Sequence, residues 1–205
     1  MGLFLSMSGI ANATAAEVKN SLRQYAVSHG GSLTECEATD NSSDFLILSE
    51  RQRGRITVVY PSGFTDWEGA SAHISRSLSV PVFFFHIHDG DLWMYVLYFH
   101  GEDVGRFNPV PAYWSGEISD ADRESWRGDA SVIAKYWPDS RIETIEKYLV
   151  PWNLDDESPG TAYPGDEFNY GDSWQMLDFM KRLELDYPID DRGQAHGETF
   201  RFEVK

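Results

Sequence analysis

Cationic side chains are scarce in this chain. Lys and Arg number 17 against 33 Asp and Glu in 205 residues, a formal charge of −16. A nucleic-acid backbone needs a basic footprint, so the deficit argues against a nucleic-acid partner. It argues equally against docking on an anionic membrane surface. Cysteine is scarcer still. Cys36 is the only one, which excludes an intramolecular disulfide and suits a reducing, cytoplasmic compartment. It stands between the carboxylates of Glu35 and Glu37, a poor setting for a nucleophile, so a structural role is expected for it. No apolar run reaches the roughly 18 residues that suggest a membrane span. Residues 1–6 lack the basic leader and apolar core of a secretory signal. They spell a Gly-x-x-x-Ser myristoylation pattern, but a first strand explains them better. Catalytic templates are missing too. There is no Gly-x-Ser-x-Gly elbow, phosphate-binding loop, dinucleotide fingerprint or His-Glu-x-x-His. No cofactor is expected.

What is present is a globular composition, 41% apolar and 14% aromatic with seven Trp. The first hundred residues read as a strand, a helix and two strands, twice over. Strand 2–10 leads to a helix opened by the capping box Thr14 to Glu17, in which each side chain satisfies an orphan amide of the other end. Strands at 32–39 and 44–50 follow, around the turn-rich Asp40–Ser43. Strand 55–60 then leads to a second such box, Thr65 to Glu68, a helix over 66–78, and strands at 81–88 and 92–100. The expected fold class is α+β: a mostly antiparallel sheet from two βαββ units over 1–108, covered by helices. A helical, acidic portion over 109–205 completes a single domain.

The hairpin at 81–100 is apolar on both faces, so it should be central and covered on both sides. With Asp89-Gly90 as a two-residue turn, Val82, Phe84, His86 and His88 share a face with Trp93, Tyr95 and Leu97. His86 and His88 are then candidate ligand-binding residues with Trp93, Tyr95 and Arg106. As weak metal candidates, His86 and His88 sit beside Asp91. The structural alternative is that both histidines simply pack among rings.

In the second half Ser119 should cap a helix carrying Trp126, Ala130, Ile133 and Trp137. That places the adhesion-type spelling Arg127-Gly128-Asp129 inside a helix. Ser140 to Glu143 spells a third capping box, Asp172 should cap the last helix, and the tail over 200–204 alternates like a strand.

The acid is uneven. Residues 1–100 hold 10 acids and 6 bases, a net of −4; residues 101–205 hold 23 and 11, a net of −12. Between Lys147 and Lys181 there is no base at all, only seven acids and seven aromatics. Aromatics anchor an interface while carboxylates steer a basic partner towards it. The candidate partner-binding residues are therefore Trp152, Asp155, Asp156, Glu157, Tyr163, Asp166, Glu167 and Tyr170. The alternative is a solvated loop pinned by its own aromatics.

The runs His86 to Tyr98, Arg106 to Trp114 and Gly171 to Leu183 resemble a set of uncharacterised acidic bacterial cytoplasmic proteins. In size and charge the chain is also similar to immunity proteins that neutralise basic toxins. That resemblance implies no catalytic residue. The leading expectation is thus a non-catalytic binding protein of immunity type for a basic protein. A small-ligand sensor with a pocket between the βαββ units comes second, and a metal-dependent enzyme using His86 and His88 third.

Overall fold

The computed structural model describes residues 2–37, 42–51 and 54–204. Its strands are β1 (Leu5–Ala11), β2 (Ser32–Glu35), β3 (Leu46–Arg51), β4 (Arg55–Val59), β5 (Val82–His88), β6 (Leu92–Phe99), β7 (Glu102–Phe107) and β8 (Glu198–Glu203). All eight join one sheet in the order β2-β8-β3-β4-β1-β5-β6-β7, and every pairing is antiparallel. The helices are α1 (Ala15–Ser28), α2 (Trp67–Leu78), α3 (Asp120–Ser125), α4 (Ala130–Tyr136) and α5 (Gln175–Arg182). The α+β class read from the sequence is the class observed. Part of the expected 32–39 strand and of the Asp40–Ser43 turn lies outside the described residues. No helix among the described residues is long and apolar enough to cross a membrane.

Alternation in the central strands divides two cores. Leu5 and Met7 of β1, Phe83, Phe85 and Ile87 of β5, and Trp93, Tyr95 and Leu97 of β6 face the second half of the chain. There they meet Trp137, Tyr148, Met176, Phe179 and Leu183. Ile10, Val58 and Val82 face the other way, with Val18, Leu22, Ala70 and Ile74 of α1 and α2. The hairpin is covered on both faces, as expected, but it stands towards one edge of the sheet rather than at its centre: β4 and β1 are the middle strands, and only β7 lies beyond β6. Gly9 is fixed by the first core. A Cβ there would come within 2.4 Å of the Leu185 side chain.

The twofold element order is present, but its pairings do not repeat. β5 joins β1 directly after α2, whereas β2, the equivalent strand after α1, lies at the far edge. The tail strand β8 stands between β2 and β3. Local chemistry explains the other departures. The Thr14 box forms on both sides. The Thr65 box does not: Asp66 is the N-cap, without a side-chain capping bond. Its carboxylate accepts the Tyr25 hydroxyl instead, while Glu68 accepts from Tyr98 at 3.2 Å. Ser140 opens only a 3₁₀ turn, whose N-cap is Arg141. The long helix expected after Ser119 is broken into α3 and α4. Gly128, at φ 75°, reverses the chain, and Asp129 recaps it through the Ser131 amide. The Arg127-Gly128-Asp129 spelling therefore lies between helices, not within one.

Phe179 is the ring on which the first core closes. It stacks on Tyr95 at 5.7 Å and meets Phe83 at 6.0 Å edge-on. Truncation to Ala should cost about 3–5 kcal/mol of unfolding free energy, read as a lower urea midpoint at unchanged slope.

Candidate functional site

The β5–β6 turn sets which residues meet. Asp89 and Gly90 take positive φ, 54° and 78°, and the Asp91 amide bonds back to the His88 carbonyl at 3.0 Å. The turn residues are those the sequence indicates. The ladder, however, closes on His88 opposite Leu92 and leaves Asp91 unpaired. One extra residue turns every β6 side chain to the opposite face. This corrects the expected grouping. Trp93 and Tyr95 lie in the first core, fully enclosed, and the Trp93 indole donates to Gln175 at 3.4 Å. His86 and His88 instead share their face with Phe84, under α2.

His86 is buried and stacks on Trp67 at 4.9 Å. Its Nδ1 lies 2.8 Å from Ser6 Oγ, and its Nε2 lies 3.4 Å from His88 Nδ1. The indole of Trp114 reaches His88 Nε2 at 3.3 Å. An indole N–H can only donate, which orients the whole chain. With both rings neutral, His88 Nε2 accepts, so His88 Nδ1–H donates to His86 Nε2, and His86 Nδ1–H is directed at Ser6 and the Leu5 carbonyl. Burial first, then the neighbouring His88, lowers the His86 pKa to about 4. Ser6 thus faces a neutral donor, not a base. Asp91 does not join the histidines as a third ligand, because its carboxylate accepts the Tyr113 hydroxyl at 2.5 Å. Among the described residues no group of three His, Cys, Asp or Glu side chains could hold a metal.

A second directed chain runs beside the first. Ser71 donates to the Trp67 carbonyl at 2.7 Å. Ser8 therefore donates to Ser71, and the Tyr60 hydroxyl to Ser8, at 2.7 and 2.8 Å. These buried hydroxyls lie between the sheet and α2 with their bonds made within the protein.

Outside His88 the surface is aromatic. Phe4 and Tyr113 meet its ring edge-on at 5.1 and 5.7 Å, and Trp114 at 5.1 Å. Phe4 is 51% exposed and Trp114 53%. Leu3 borders Gly90, within 3.7 Å of where its Cβ would stand. Leu154 and Asp156 line the same cleft as Gly90 and Asp172. Exposed Asp89 and Asp91 complete the rim.

The seven aromatics of the 148–180 segment are all buried or half-buried. Trp152 is buried, as is Tyr148. Asp166 receives Arg182 at 2.6 Å, Tyr148 at 2.8 Å and the Tyr163 amide at 2.9 Å. Asp178 takes the Glu167 and Phe168 amides, each at 2.9 Å. Glu167 pairs with Lys181 at 2.9 Å, and Tyr170 donates to the Lys147 carbonyl at 2.7 Å. Tyr163 lies between the cations of Lys147 and Arg182, each 5.1 Å from its ring. Of the candidates here, Asp155, Asp156, Glu157 and Glu167 stay exposed, the last in its surface pair with Lys181. Arg106 stands apart, paired with Asp103 and 4.9 Å over Trp126. Phe4, Tyr113, Trp114 and Leu154 were not signalled by periodicity. Phe4, Tyr113 and Trp114 meet at His88, and Leu154 stands in the neighbouring cleft at Gly90.

The lowered His86 pKa has a definite sign. Between about pH 6.5 and 4 an unfolded His86 binds a proton that the native one refuses, so stability falls as pH falls through this window. Urea titrations at pH 7 and 5 should show a loss, on the order of 1–2 kcal/mol, that His86→Gln lacks. Replacing Asp166 by Ala should strand Arg182 and cost about 2–4 kcal/mol, with faster amide exchange over 160–170. No protein-family model matches this chain, and comparison with curated proteins and with solved structures finds no match either.

Proposed function

We propose that this chain is a non-catalytic binding protein that engages a basic protein through the acidic, aromatic end of its sheet. One observation carries the reading. Four of the eight large hydrophobic side chains left exposed among the described residues lie at a turn bearing Asp89 and Asp91: Phe4, Tyr113 and Trp114 around His88, and Leu154 with Asp156 in the cleft at Gly90. Solvated single hydrophobics are ordinary, but a cluster rimmed by one sign of charge suits a partner. Rings of this kind anchor through buried area and through cation–π contact with Arg or Lys. The carboxylates raise the encounter rate with a basic surface. Neutralisation of a basic toxin is the setting that the immunity-type resemblance suggests. The surface is displaced from the 148–180 segment alone, most of whose aromatics and acids hold that segment to the body.

A peptide rich in Arg and Leu, titrated into ¹⁵N-labelled protein, tests this. The largest shifts should fall on the Trp114 indole and on the amides of Asp89, Asp91 and Leu154. Affinity should drop about tenfold or more between 50 and 200 mM salt, and Trp114→Ser should weaken binding by a similar factor. Shifts spread over all exposed carboxylates, with Trp114 unmoved, would discard the reading.

A further inference from the structure

A second concavity lies inside the rim, on the helix-covered face of the sheet. It has a volume of about 190 Å³ and is lined by Phe4, Ser6, Tyr60, Phe64, Trp67 and His86, among others. We infer that this cavity between β1, β5 and the β4–α2 connection binds a small, uncharged, single-ring aromatic molecule bearing a hydrogen-bond acceptor.

Size sets the first limit. Pockets for drug-sized ligands begin near roughly 300 Å³, so this one admits about one ring. Chemistry of the walls sets the second. The lining contains no Lys, Arg, Asp or Glu, so nothing compensates a charged ligand for its lost hydration. His86 supplies no charge either, since burial keeps it neutral above about pH 4. Shape of the walls sets the third. Trp67 and His86 stack at 4.9 Å with 27° between their planes, and Tyr60 and Phe64 lie 5.2 Å apart. Such rings favour a flat guest through offset and edge contacts.

The acceptor requirement comes from the directed hydrogen-bond chain. Ser6 Oγ lies 2.8 Å from His86 Nδ1; with the tautomer that the Trp114 indole imposes, Nδ1 carries the proton, which leaves the Ser6 hydroxyl proton to donate. No acceptor for it is found among the described residues, and Ser6 is on the cavity wall. A carbonyl on the guest would take that proton. The inference shares Phe4 with the protein-partner reading but rests on other, uncharged groups of the cavity wall, so either can fail without the other.

Benzamide is the probe, titrated by NMR into the ¹⁵N-labelled full chain at pH 7. Saturable shifts are expected at Thr65, Trp67 and His86, with a Kd on the order of 1 mM. Cyclohexanecarboxamide, which is not flat, and benzoate, which is charged, should each bind at least about tenfold more weakly. Ser6→Ala should weaken benzamide about tenfold through loss of one hydrogen bond. Ser62→Trp, at an exposed rim position, should fill the opening and abolish the shifts without altering the rest of the spectrum. Absence of saturable shifts at these residues would overturn the inference. So would shifts that persist in Ser62→Trp, or benzoate binding as well as benzamide.

Discussion

Burial of the central strands on both faces is the constraint from which the rest follows. β5 alternates without exposing either side: Phe83, Phe85 and Ile87 point one way, Val82, Phe84 and His86 the other. A strand of that kind needs two covers. α1 and α2 supply one. The second half of the chain, which has little regular structure of its own, exists as a fold because it supplies the other. Its anchors are large rings, and its acids then serve to satisfy the backbone of the irregular segments that carry those rings. Asp166 and Asp178 illustrate this. Each accepts backbone amides that no strand or helix would otherwise pair.

The sheet, the helices over it and their order were legible in the sequence, because period-two alternation and a capping box are local signals. What was not legible depended on distant partners. The Thr65 box failed because Tyr98, on β6, takes the Glu68 carboxylate, and Tyr25, on another helix, takes that of the actual N-cap Asp66. The strand repeat failed to pair symmetrically because β8 fills a place that no local pattern reserves. The hairpin register was misread by one residue, since positive φ at Asp89 and Gly90 was correctly indicated but the unpaired Asp91 was not. That single residue decided which rings meet His86, and so the location of the candidate site.

Acid in this protein has two separate uses, which net charge alone conflates. Within 148–180 the inward carboxylates act as structural acceptors. Around the β5–β6 turn, Asp89, Asp91 and Asp156 remain available to solvent, beside exposed rings. A long segment without bases is therefore a poor guide to an interaction surface when its carboxylates are bonded at home.

The position of β8 has a consequence for the order of assembly. Leu33 of β2 pairs with Phe202 of β8, so the sheet is joined across nearly the whole length of the chain. Contacts that distant close late, because the loop entropy must be met before they stabilise anything. Until β8 arrives, β3 presents an unpaired edge with Leu46, Ile47 and Leu48 along it. Such an edge can pair with the wrong chain. The native β8 is thus both a structural strand and the guard of a vulnerable edge, and that edge stays open until β8 itself has been made and docked.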